Sequence, residues 1–250
     1  MIRHKKIVNK KTYVAFILDK SGSMAHLRDE TISTFNEQLQ EHRRNGRKGG
    51  ETSLSLIQFS GNVEETFFNL LVDEISGKLD REEYNPCGST ELYDAIGYTV
   101  NKLQRLDEVG DVGFLVVVIS DGQENASRKY TGKEIASLRN ELEETGRWTF
   151  QYIGSDPNAI IEAQKIGLKS FKFDNTKRGW RDLSDAITYS TASYYSARAG
   201  GQTCVSNFME LADKDYSDKD GTSDVVNPST TGADLSGPDI NKIDVNDLKQ

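Results

Sequence analysis

Asp19-Lys20-Ser21-Gly22-Ser23 places a carboxylate and two hydroxyls on one short loop. These are hard oxygen donors, the kind that suit Mg²⁺ or Mn²⁺ rather than a soft metal. Gly22 is expected to tighten the turn and bring Ser21 and Ser23 to one side. Two distant segments carry matching chemistry. Thr90 stands in Gly88-Ser89-Thr90-Glu91-Leu92-Tyr93-Asp94-Ala95-Ile96, at a loop end before a helical pattern, and Asp121-Gly122 closes an almost unbroken apolar run, Gly113 to Ser120. One D-x-S-x-S stretch is also what any turn or helix cap contains. The weight lies in the three segments taken together.

These residues must be positioned by the elements around them. Tyr13 to Leu18 is a short apolar run that reads as a buried strand ending at Asp19. A second such strand ends at Asp121. In an open parallel α/β sheet, ligands bind beyond the carboxyl ends of strands, where strand order reverses. If the two strands are neighbours there, Asp19 and Asp121 face one crevice, and Ser21, Ser23 and Thr90 close around the same ion. The remaining pattern alternates. Helices are expected over 24–45, 91–109, 131–145, 157–166 and 180–197, and further strands over 52–60, 63–68, 148–153 and 168–173. Gly61-Asn62 signals a hairpin, so the third strand should be antiparallel at a sheet edge. The last helix should turn Leu183, Ile187 and Tyr194 inward. Tyr194-Tyr195 is expected to split between core and surface, and Arg47 to Gly50 to form a loose turn. The fold class is α/β: a Rossmann-like, doubly wound, mostly parallel six-stranded sheet with one antiparallel edge strand and helices on both faces. The alternation alone also fits a flavodoxin-like domain.

At these motifs the chain resembles the von Willebrand factor A domains, whose metal-ion-dependent adhesion site uses an Asp-x-Ser-x-Ser loop, a distant Thr and a distant Asp. Asp19, Ser21, Ser23, Thr90 and Asp121 stand in that order here. Leu18-Asp19-Lys20-Ser21-Gly22-Ser23-Met24 and Ile119-Ser120-Asp121-Gly122-Gln123-Glu124-Asn125 are most similar to intracellular bacterial and phage members. The resemblance implies that Ser21 and Ser23 bind Mg²⁺ (or Mn²⁺) directly and that Thr90 binds it directly or through water. Asp19 and Asp121 then supply charge, one or both through waters. It further implies an open coordination position filled by an Asp or Glu of a protein partner, with no catalysis. Glu91 departs from the usual uncharged residue after the Thr; it is read as favouring the helix start.

Composition narrows the classes. A net charge of -8 argues against nucleic-acid backbone binding as the main activity. The charge is uneven: residues 213–250 hold nine Asp, no Glu and four Lys. The expected organisation is a basic arm at 1–11, a domain at 12–200, a connecting segment at 201–212 and an acidic disordered tail at 213–250. Asp218, Asp220, Gly221 and Asp224 partly echo a calcium loop, but Tyr216 and Asn227 stand where ligands belong. The tail reads as solubilising or as a tethered ligand for the metal site, in cis or through self-association. Cys87 and Cys204 suggest neither a disulfide framework nor a zinc site, consistent with a cytoplasmic protein. The first apolar run is too short for a signal-peptide core, and no stretch is long enough to span a membrane. No phosphate loop or G-x-S-x-G elbow is present. A metal-dependent hydrolase or phosphotransferase drawing on Glu91, Asp94 or Glu124 is the alternative, as is an assembly protein with a purely structural ion.

Overall fold

The computed structural model describes residues 10–106, 110–205 and 208–209. Its centre is a six-stranded sheet in the order β3-β2-β1-β4-β5-β6. The strands are β1 (Lys10–Asp19), β2 (Glu51–Phe59), β3 (Val63–Leu71), β4 (Asp111–Ile119), β5 (Trp148–Gly154) and β6 (Ser170–Lys172). All neighbours run parallel except β2 and β3, which form an antiparallel pair at one edge. The helices are α1 (Arg28–Gly46), α2 (Leu92–Gln104), α3 (Gly132–Glu144), α4 (Pro157–Lys165) and α5 (Lys177–Ala199).

Both faces of the sheet are covered, and the period-2 rule of strands assigns each residue to one of them. Val14, Phe16 and Leu18 of β1, with Leu115, Val117 and Ile119 of β4, meet Phe35 and Leu39 of α1 and Leu183, Ile187 and Tyr194 of α5. Ala15 and Ile17, with Val116 and Val118, meet Leu92, Ile96 and Val100 of α2, Ile135 of α3 and Ala159 of α4. This double burial explains why Tyr13 to Leu18 of β1 and Phe114 to Ile119 of β4 are apolar at every position instead of alternating. Local signals set the helix starts. Thr131 and Glu134 form a reciprocal capping box on α3, and Asp156 caps α4 with Pro157 at its first position.

The structure departs from the sequence reading in several places. The first helical segment opens with a 3-10 stretch, Gly22–Leu27, before α1. The second helix ends at Gln104, and β6 is only 3 residues long. Arg47–Gly49 forms a 3-10 turn rather than a loose loop. The next residue, Gly50, has φ +99°, and a Cβ there would lie 2.2 Å from the Lys10 carbonyl oxygen. Tyr194 and Tyr195 are both buried, because α5 is enclosed on two sides: Tyr194 rings pack with Phe208, and Tyr195 packs with His42 of α1. Phe208 and Met209 belong to the core, so the folded body continues past Gly201. The basic arm up to Asn9, the end of the expected second helix at 107–109 and the acidic segment lie outside the described residues.

Candidate metal centre

The five candidate residues gather at the carboxyl end of β1 and β4, the two strands between which sequence order reverses. Leu18 pairs in register with Ile119, so Asp19 and Ser120 follow side by side. Asp19 is fully buried. Its Oδ1 accepts from the Ser21 amide at 2.7 Å, and its Oδ2 accepts from the Ser120 hydroxyl at 2.6 Å. The Ser21 and Ser23 hydroxyls lie 3.1 Å apart; Ser21 is buried and Ser23 exposed. Asp121 is half-buried, and its Oδ1 accepts from the Ser155 hydroxyl at 2.9 Å and the Asp156 amide at 2.6 Å.

Backbone bonds lace the three loops together. Cys87 N–H donates to the Lys20 carbonyl at 2.8 Å, and Gly22 N–H donates to the Gly88 carbonyl at 3.1 Å. Thr90 N–H donates to Asn125 Oδ1 at 3.0 Å, while the Thr90 carbonyl accepts from the amides of Asn125 and Ala126. Gly22 itself is not under steric demand, since a Cβ there meets only the Gly88 carbonyl at an ordinary 3.6 Å. The geometry does require a glycine at Gly88, at φ +77°, where a Cβ would lie 2.8 Å from Ser60 Oγ.

Three features test whether a divalent cation suits this set. Burial pushes the Asp19 carboxyl up, and the neighbouring Asp121 charge adds to that; hydrogen bonds from Ser120 and Ser21 pull the other way. A divalent cation held near Asp19 and Asp121 would offset both costs. The donors are oxygens throughout, as Mg²⁺ and Mn²⁺ prefer. At Gly122 a Cβ would lie 2.8 Å from both Asp19 Oδ2 and Thr90 Oγ1, so only a hydrogen lets these two oxygens flank the same space. The donor set fits the ion. Two carboxylates with three hydroxyls do not form a cluster of three or more His, Cys, Asp or Glu side chains, and the described residues contain no such cluster.

The other acidic residues of the region are committed elsewhere. Glu124 accepts from the amides of Tyr93, Ala126 and Ser127 and from the Ser127 hydroxyl. Asp94 accepts from the amides of Arg128, Lys129 and Tyr130. Both fix the loop after β4. Glu91 occupies the N-cap position of α2 without a side-chain cap. It is buried; one oxygen accepts from the Ser89 hydroxyl and the other has no partner among the described residues. Ser120, Asn125 and Gly88 escape sequence reasoning because their partners are remote in the chain. The residues flanking Asp121 are the only local pointer to two of them. His26 is exposed and bonded to Asn175.

Residues 14–171 match the sequence profile of the von Willebrand factor type A domain. This is more than half of the chain, and the protein belongs to that family. No curated protein sequence matches it. Among solved structures, the PilB minor pilin from Streptococcus sanguinis superposes with a TM-score of 0.51 at 14% identity, over 77% of this chain and 62% of the pilin. A point mutant of the same pilin gives 0.53 at 14% identity, over 76% and 63%. A conserved hypothetical protein BatB from Bacteroides thetaiotaomicron gives 0.48 at 16% identity, over 74% and 99%. The chain thus spans less than two thirds of the pilin's length, and likeness at this identity concerns the fold alone.

Proposed function

We propose that this chain is a non-enzymatic protein-binding domain that depends on a divalent cation, Mg²⁺ or Mn²⁺. Asp19, Ser21, Ser23, Thr90 and Asp121 would hold the ion, which when bound supplies an electrophilic position for an Asp or Glu carboxylate of a partner. The observation that carries this reading is the convergence of a buried Asp19, the paired Ser21 and Ser23 hydroxyls, Thr90 and Asp121 at one strand-end crevice. The chain's own residues do the positioning. Ser120 and the Ser21 amide orient Asp19, and Ser155 with the Asp156 amide orients Asp121. Asn125 holds the Thr90 loop.

Membership of a family that generally mediates protein–protein contacts supports the binding reading. The commitment of Asp94 and Glu124 to backbone amides weighs against a hydrolase. We place the protein in the cytoplasm of a bacterium or in a phage-infected cell, on the wording of its motifs and its two free thiols. Among the described residues no helix is long and apolar enough to cross a membrane.

Calorimetric titration of chelator-treated protein with Mg²⁺ and Mn²⁺ tests the site, with Thr90→Ala as the control. One ion per chain, lost in the variant, is expected. Absence of any heat at neutral pH overturns the reading. Affinity capture with and without chelator then tests the partner.

A further inference from the structure

The opposite end of the sheet carries a second charged feature. β1 begins at Lys10 and ends at Asp19, so at about 3.3 Å per residue the two ends stand about 30 Å apart. Beside Lys10 opens a surface cavity of about 550 Å³, its walls including Lys10, Lys11, Arg47, Lys48, Glu51 and Ala199. Four cations and one carboxylate line it, with Asp111 3.9 Å from Lys10 and Asp73 paired to Arg47 at its edge, so it stays net basic in a chain whose net charge is -8. The walls are held in place. Lys10 Nζ donates to the carbonyls of Arg198 and Ala199, each at 2.8 Å. Lys11 stands 3.9 Å from Glu51. Arg47 bonds Asp73 and Lys48 bonds Asn45, each at 2.9 Å. Arginine has five N–H donors and lysine three, so these contacts leave Arg47 and Lys48 with donors to spare.

We propose that this basic cavity binds the chain's own acidic C-terminal segment, Asp213 to Asp247, in cis. Charge complementarity selects the occupant: residues 213–250 carry nine Asp against four Lys. The course of the chain agrees. α5 ends at Ala199, on the cavity wall. Thr203 Oγ1 then donates to the Gly146 carbonyl at 2.6 Å, and Val205 N–H donates to Thr149 Oγ1 at 3.0 Å. Both partners lie at the start of β5, so the chain after α5 runs along the same end of the sheet as the cavity before Phe208 and Met209 enter the core. A polar chain of 38 residues spans about 31–37 Å root-mean-square, and tethering holds it at roughly millimolar effective concentration. An intrinsic Kd of about 100 μM therefore leaves about nine-tenths of the segment docked. That reach also covers the metal centre, but an open coordination position takes one carboxylate, whereas the spare donors of Arg47 and Lys48 can take several.

Nuclear magnetic resonance of the full chain tests this directly. At low salt, the amide shifts of Asp213 to Asp224 should differ from those of a synthetic 213–250 peptide. Arg47→Glu/Lys48→Glu should move them to the peptide values while the body spectrum is retained. About 0.5 M NaCl, which screens exposed pairs, should do the same, and it serves alone if the double variant fails to fold. Chelator and Thr90→Ala should have no effect, and tenfold dilution should change nothing. Tail shifts equal to those of the peptide at low salt overturn the proposal. So do shifts that vanish with chelator yet survive the charge reversal, which would place the segment at the metal centre, and shifts that vanish on dilution.

Discussion

The Ser120 hydroxyl donates a 2.6 Å hydrogen bond to Asp19 Oδ2, joining the ends of β4 and β1 across 101 residues of sequence. Both residues are buried, so no water competes for this bond. Together with the Ser21 amide on Oδ1, it fixes the orientation of the Asp19 carboxylate. Ser120→Ala should therefore lower Mg²⁺ affinity about 10–100-fold, the usual effect of removing a partner that orients a metal ligand. It should also cost about 1–3 kcal/mol of stability by leaving a buried carboxylate short of a donor. Calorimetry and thermal denaturation read the two effects separately. An unchanged ion affinity would remove Ser120 from the site.

Asp19→Asn separates the charge from the shape. The amide oxygen can still accept from Ser21 N–H, and the Ser120 hydroxyl can accept from the new amide nitrogen. Because burial and the Asp121 charge both oppose ionisation of Asp19, the ion-free variant should be as stable as the parent or more so. Its melting temperature should no longer rise with Mg²⁺, since that rise comes from binding to the folded state alone. A variant that melts well below the parent without metal, or that still responds to Mg²⁺, contradicts this account.

Much of this arrangement was legible in the sequence, and the limits have physical causes. The two apolar runs that end at Asp19 and Asp121 identify buried parallel strands, because a sheet covered on both faces demands apolar residues at every position. Gly61-Asn62 marks the antiparallel edge, and Asp156-Pro157 marks the start of α4. That β1 and β4 are neighbours was only a condition in the sequence, since strand order is settled by packing and not by local pattern. Hidden too were bonds between remote residues, such as Ser120 with Asp19 and Asn125 with Thr90. The polar interior between α1 and α5 was missed for another reason. Helical periodicity marks one buried stripe, whereas α5 is enclosed on more than one side, so the expected split of Tyr194 and Tyr195 between core and surface gives way to burial of both.

His42 lies in that interior. Its Nδ1 is 2.9 Å from the Tyr195 hydroxyl, its Nε2 has no partner among the described residues, and Phe16 packs edge-on against the ring. Burial pulls its pKa down to about 3 from an ordinary 6.5. The folded state thus keeps the ring neutral where the unfolded chain protonates it. Between about pH 6.5 and 3 the unfolded state binds the extra proton, so stability present above 6.5 is lost as pH falls, by up to about 1.4 kcal/mol per unit. His42→Phe should flatten this part of the profile, even though its stability at pH 8 is lower for want of the Tyr195 contact. Denaturant unfolding of both proteins from pH 8 to 4 measures the difference. Parallel profiles would assign the acid sensitivity to other groups.

Arg198 makes the corresponding test at the basal end. Its guanidinium is fully buried and donates to Asp111 Oδ1 at 2.5 Å, Thr12 Oγ1 at 3.2 Å and the carbonyls of Lys11, Asp111 and Gln202. One side chain therefore ties the start of β1, the start of β4 and the turn after α5. Arg198→Met should cost about 3–5 kcal/mol, because Asp111 is left charged and without its buried partner. Asp111→Asn alone should also be costly, leaving the guanidinium uncompensated. The double variant should be less damaged than the two single costs added together, with a coupling of about 1–3 kcal/mol. Arg198 lies at the far ends of β1 and β4 from Asp19 and Ser120, so the folded fraction of each variant should bind Mg²⁺ with unchanged affinity. Strict additivity would reduce the Arg198–Asp111 pair to two independent contacts, and a fall in ion affinity would mean that the basal clamp and the metal centre are coupled through the strands between them.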